Sequence, residues 1–99
     1  MKNFRTYQLA KSFYLNCLRL KMRAYCKSQY ERAMLSIVLN IAEGSGKPTS
    51  KDRRRFYSIA FGSLREVQAL LDIHCYNTAL EMSDHLAATL YKLIQNPGP

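Results

Sequence analysis

Apolar and polar positions recur along the chain at steps of three and four, and no stretch alternates with a period of two. That spacing is helical throughout. Arg5, Gln8, Ser12, Asn16, Arg19 and Arg23 form one narrow polar stripe. Leu9, Ala10, Phe13, Tyr14, Cys17, Leu18 and Leu20 fill the wide remaining face, so a first helix is expected over about residues 4–23. Ser28-Gln29-Tyr30-Glu31 reads as a capping box that opens a second helix, about 29–43. Between Ala33 and Ala42 only Ser36 and Asn40 are polar, and with Glu43 they make a polar seam on a nearly all-apolar helix. Such a helix belongs at the centre of a bundle, and its seam should meet polar groups on another helix.

A third helix, about 51–76, follows Thr49 or Ser50 as cap, with Asp52 in its first turn. Its expected core stripe is Phe56, Ile59, Ala60, Ser63, Val67 and Leu70. Gly62 stands in mid-helix at a cost of about 1 kcal/mol against Ala, which close approach of another backbone would offset. Thr78-Ala79-Leu80-Glu81 resembles another capping box and opens a fourth helix, about 79–95, with Met82, Leu86, Leu90, Leu93 and Ile94 on its buried face. Four helices on short connections predict one domain over residues 1–99, an all-α, antiparallel, up-and-down four-helix bundle.

The connection after the second helix, Glu43-Gly44-Ser45-Gly46-Lys47-Pro48, has the look of a phosphate-binding loop. The motif requires Gly where Ile41 stands, Ser or Thr where Pro48 stands, and a strand before it. The string fails all three. A left-handed Gly44 or Gly46 ending the helix, with Pro48 blocking its continuation, is the better reading.

Charge adds what periodicity does not show. The net value is +8, unevenly spread. Residues 1–30 hold Lys2, Arg5, Lys11, Arg19, Lys21, Arg23 and Lys27 and no acid. Residues 47–65 hold Lys47, Lys51, Arg53, Arg54, Arg55 and Arg65 against Asp52 alone. Residues 66–99 are mildly acidic, with Glu66, Asp72, Glu81 and Asp84 against Lys92. One basic side facing a polyanion, RNA or DNA, is the natural reading. Its expected contacts are Lys47, Lys51, Arg53, Arg54 and Arg55, with Arg19 and Arg23 from the first helix.

Other chemistry is sparse. Cys17, Cys26 and Cys75 have neither disulfide nor zinc spacing, so no metal is expected. His74 and His85 complete no catalytic set, although Glu43 or His74 could serve a small enzyme. Glu66 is expected to pair with Arg65 or Arg55. No apolar run reaches the ~18 residues of a membrane span. The N-terminal residues also lack a signal-peptide core, so a soluble cytoplasmic protein is expected.

The string Ser36-Ile37-Val38-Leu39-Asn40-Ile41-Ala42-Glu43-Gly44-Ser45-Gly46-Lys47, preceded by Arg32-Ala33, is one half of a resemblance. The other half is Phe56-Tyr57-Ser58-Ile59-Ala60-Phe61-Gly62-Ser63-Leu64-Arg65-Glu66. Together they resemble the bacterial four-helix bundle family. That family includes the proteins encoded in intervening sequences of large-subunit ribosomal RNA genes and the accessory variability determinants of diversity-generating retroelements. The resemblance implies a ring-like homopentamer, no catalysis and no cofactor. It implies an architectural role for Ser36, Asn40, Glu43, Gly44, Gly62, Ser63 and Glu66. The first helix lacks the opening common in the intervening-sequence branch, and the charge is high. Both tilt the expectation toward the retroelement branch, a nucleic-acid-binding partner of a reverse transcriptase in mutagenic homing. The alternative is a structural or RNA-binding protein of the intervening-sequence branch, its role and partner open.

Overall fold

A computed structural model describes residues 4–98. Lys2, counted above among the basic N-terminal residues, lies outside them. Four helices follow in order: α1 Arg5–Cys17, α2 Ala24–Ser45, α3 Ser50–Ile73 and α4 Asn77–Gln95. No strand occurs among the described residues. Each helix runs alongside two others, α1 by α2 and α4, and α3 by α2 and α4. The result is a four-helix bundle 41 Å long and 22 Å across. The core runs through Phe13, Tyr30, Ile37, Ile41, Leu64, Leu71, Leu86 and Leu90.

The helix boundaries differ from expectation at the α1–α2 corner. α1 stops at Cys17 rather than near Arg23, and α2 starts at Ala24 rather than after Ser28. The apolar residues Leu18, Leu20 and Met22 continue the helical period, so the stop is invisible in the pattern. Tertiary hydrogen bonds impose it. Tyr30 donates to the Cys17 carbonyl at 2.7 Å. Lys27 Nζ donates to the Leu18 and Leu20 carbonyls at 2.5 and 2.7 Å. Tyr76 donates to the Lys21 carbonyl at 2.6 Å. Carbonyls left without helical partners are thereby satisfied by side chains of neighbouring elements. The Ser28 capping box does not form, because Ser28 lies inside α2 and donates to the Tyr25 carbonyl at 3.1 Å. The Thr78 box is likewise inside α4, which begins one residue earlier with Tyr76 as its uncapped neighbour. At α3 the expected cap is present, Thr49 Oγ1 accepting from Asp52 N at 3.1 Å.

Two buried stripes are rotated from those expected. α3 buries Tyr57, Ala60, Leu64, Val67 and Leu71, leaving Ile59 outside, and α4 buries Ser83 in place of Met82. Ser83 fits because it is small and both its hydrogen-bonding roles are filled: it donates to the Leu80 carbonyl and accepts from Gln68 Nε2.

The glycines also have different jobs. Gly46 closes α2 at φ −90°, not in the left-handed region. Short bonds from Gly46 N to Glu43 O and from Lys47 N to Gly44 O tighten the last turn, which needs no positive φ. Gly44 is the packing glycine: a Cβ there would stand 2.7 Å from the Tyr57 ring and 3.1 Å from Phe56 Cβ. Gly62, expected beside another backbone, has nothing of its own chain within 4 Å of a Cβ position.

Candidate nucleic-acid interface

Antiparallel helices sort the basic residues to two ends of the bundle. One end holds the start of α1, the α2–α3 connection and the end of α4. It gathers Lys47, Lys51, Arg53, Arg54 and Arg55, joined by Arg5 and Lys92. Arg19 and Arg23 lie at the other end, in the α1–α2 connection. α2 alone, 22 residues long, separates Arg23 from Lys47 by about 33 Å at ~1.5 Å per residue. The seven expected contacts therefore do not form one surface.

Within the α2–α3 end the side chains divide again. Arg53 holds the fold together. Its Nε donates to the Pro97 carbonyl at 2.9 Å, Nη1 to the Lys47 carbonyl at 2.9 Å, and Nη2 to the Gly98 carbonyl at 2.9 Å. Ser50 also donates to the Gly98 carbonyl at 2.5 Å. The planar fork thus ties the C-terminal segment to the α2–α3 connection, a task a Lys could not copy. Arg54 directs Nε to the Ile94 carbonyl at 2.9 Å and closes the end of α4, but its position stays exposed. Lys47 pairs with Glu43 at 3.1 Å and lies 5.0 Å from the Phe56 ring centre. Arg55 stacks over the same ring at 4.6 Å. Phe56 is thus a platform that holds two cations at the surface. Lys51 is exposed.

Arg5 and Lys92 belong to the first and last helices, too far apart in the sequence for any local pattern to pair them. The fold brings them to one open groove between α1 and α4, about 470 Å³, lined also by Thr6, His85, Thr89 and Asn96. An i, i+4 pattern could not have found them; only the antiparallel pairing of α1 with α4 does.

The polar signature residues are positioned as follows. Ser36 and Ser63 share a hydrogen bond at 2.8 Å across α2 and α3. Asn40 donates back to the Ser36 carbonyl and hydroxyl at 2.9 and 3.1 Å, inside its own helix. Among the described residues the seam therefore meets another helix at Ser36 alone. Glu66 pairs with Arg32 of α2 at 2.6 Å, not with Arg65 or Arg55. The antiparallel register sets residue 32 opposite residue 66, whereas Arg65 is turned about 100° away on the same helix and reaches Gln68 Oε1 at 3.5 Å. This pair is half exposed and so contributes at most about 1 kcal/mol.

Burial raises the pKa of the Tyr30 and Tyr57 hydroxyls and of the Cys17 thiol, the Tyr57 shift being opposed by Arg53. None of the three lies free at the surface. Glu43 and His74, the enzyme candidates, stand at opposite ends of the α2–α3 pair, and the His74 ring faces the Leu70 carbonyl at 2.7 Å. No cluster of three His, Cys, Asp or Glu side chains suited to a metal forms among the described residues. No helix of the described residues is long and apolar enough to cross a membrane.

No curated protein and no solved structure matches this chain. A family model described as 23S rRNA-intervening sequence protein matches residues 2–96. The match names the intervening-sequence branch and favours that reading over the retroelement one. With nearly the whole chain covered and four helices in place, the protein belongs to the 23S rRNA-intervening sequence protein family.

Proposed function

We propose that this protein is a non-enzymatic RNA-binding protein whose α2–α3 end holds an RNA phosphate backbone. The supporting observation is the clustering of Lys47, Lys51, Arg54, Arg55, Arg5 and Lys92 at one end, where among the described residues Glu43 is already paired with Lys47 and Asp52 is the other acidic side chain. Phosphate contacts of this kind give affinity with little sequence preference. The family name makes the 23S rRNA intervening sequence the first target to test. Fluorescence anisotropy with a labelled RNA duplex, at low salt, provides the test. Joint Lys51→Ala and Arg55→Ala substitution should weaken binding about tenfold or more while leaving the helical signal intact. Unchanged affinity in this variant removes the assignment.

We further propose that the protein acts as a homo-oligomer, a ring of five being the arrangement its resemblance implies. Leu35 and Leu39 of α2 and Ile59 of α3 are 44%, 56% and 44% exposed on the outer side of the α2–α3 pair, beside Gly62. A second copy seated there would bury those side chains and supply the close approach that Gly62 lacks within one chain. Native mass measurement reads the subunit number, and a monomer at micromolar concentration would refute the assembly.

A further inference from the structure

The basic residues left at the far end have a different setting. Arg19, Lys21 and Arg23 stand on the six-residue connection between α1 and α2, all three exposed. The connection is fixed in place: Cys17, Leu18, Leu20 and Lys21 each give a carbonyl to Tyr30, Lys27 or Tyr76. Lys27 is consumed in that anchoring, but Arg19, Lys21 and Arg23 enter no ion pair among the described residues. Asp72 and Glu81, in the last turn of α3 and the second turn of α4, are acids that share this end. Two residues beyond Arg23, in the first turn of α2, is Tyr25, 76% exposed and the most exposed large apolar side chain described.

A side chain of that size in water gains nothing for the fold. A rigid loop of cations beside an open aromatic ring is the combination that holds single-stranded nucleic acid: the cations take successive phosphates and a base stacks on the ring. The α2–α3 end differs, because its Phe56 is only half-buried at the surface and already carries Lys47 and Arg55 against its ring.

We infer that the α1–α2 corner is a second, separate site, which binds a single-stranded RNA segment through Arg19, Lys21 and Arg23 with a base stacked on Tyr25. This inference rests on the RNA-binding reading above and extends it to two ends of one bundle, 41 Å long. One chain can then join a duplex held at the α2–α3 end to an unpaired strand held at the α1–α2 corner. A folded RNA with a stem and a loop presents that combination.

The test uses the full chain, a labelled single-stranded RNA of mixed sequence and a labelled RNA duplex, each titrated separately. Tyr25→Ala should weaken single-strand binding roughly five- to a hundredfold, the range for loss of one stacked base, and leave duplex binding unchanged. Tyr25→Phe, which keeps the ring, should bind as the parent does. Joint Arg19→Ala and Arg23→Ala should weaken the single strand and flatten its salt dependence. Single-strand binding that ignores Tyr25→Ala and the double variant overturns the second site, and duplex binding lost in the Lys51/Arg55 variant would still leave the first standing. If neither RNA binds the parent protein, the RNA-binding reading fails and the second site fails with it. A single-stranded DNA of the same sequence shows whether the 2′-hydroxyl contributes.

Discussion

Adding one methyl group to Gly44 tests the packing that sets α2 against α3. In Gly44→Ala the new Cβ would meet Tyr57 Cε1 at 2.7 Å and Phe56 Cβ at 3.1 Å. Carbon atoms rest about 3.5–4.0 Å apart, so the two helices must part by roughly 0.8 Å at this point. Tyr57 cannot swing aside cheaply: it is 2% exposed and its ring lies against Phe4. Phe56 Cβ is fixed by the backbone. Overpacking of this kind costs about 1–3 kcal/mol, against a gain of about 1 kcal/mol from replacing a helical Gly. The net expectation is a loss of about 1 kcal/mol. Gly62→Ala provides the internal control when both substitutions are made in the Leu39→Asp background, which keeps a second copy off that face: the chain puts nothing within 4 Å of that Cβ, so only the helix term remains. It should gain up to about 1 kcal/mol. Urea unfolding followed by far-ultraviolet ellipticity, in dilute solution at one protein concentration, measures both. A Gly44→Ala protein as stable as the parent, or the same sign of change in both variants, would show that Tyr57 and Phe56 do not hold α2 and α3 at this spacing.

Further outcomes follow from the side chains at the two ends. Arg53→Ala should destabilise the bundle by about 2 kcal/mol, because the Lys47 and Pro97 carbonyls lose this donor and the Gly98 carbonyl keeps only Ser50. Arg53→Lys should recover little of this, and thermal melting reads both. Lys51→Ala should shift stability by less than about 0.5 kcal/mol, which separates a binding residue from a structural one. Tyr30 has a raised hydroxyl pKa in the fold, chiefly from burial. Its contribution is fully present below the unfolded tyrosine pKa near ~10 and is lost as pH rises above that value. Unfolding free energy should therefore fall at alkaline pH, and fall less steeply in Tyr30→Phe, as alkaline denaturant titrations will show. Leu39→Asp on the exposed outer side of α2 should lower the native mass of the oligomer without reducing helicity; an unchanged mass would place the subunit contact elsewhere.

The helix count and the gathering of basic residues at the α2–α3 end were legible in the sequence because they depend on local pattern. Thr49 caps α3 as its spacing to Asp52 suggests, and the run from Lys51 to Arg55 does gather at one end. What was not legible depends on contacts between elements. The end of α1 is set by donors from Lys27, Tyr30 and Tyr76, so no residue between 17 and 23 announces it. The α3 stripe is turned because Gly44 admits Tyr57 and thereby selects the face that is buried. Arg53, one cation in a run of three, is set apart from Arg54 and Arg55 only by the carbonyls of a segment 44 residues away. Arg5 and Lys92 meet only because α1 and α4 run antiparallel.

Under the proposed function, the basic α2–α3 end binds RNA through phosphate contacts. Salt dependence tests it most directly. Lys51, Arg55, Arg5 and Lys92, as four phosphate contacts, should give log K against log salt a slope of roughly −3, so affinity should drop by nearly two orders of magnitude between about 50 and 200 mM salt. The joint Lys51→Ala and Arg55→Ala variant should bring the slope to roughly −1.5. An affinity that does not change with salt, or a variant whose slope equals the parent's, would contradict the claim.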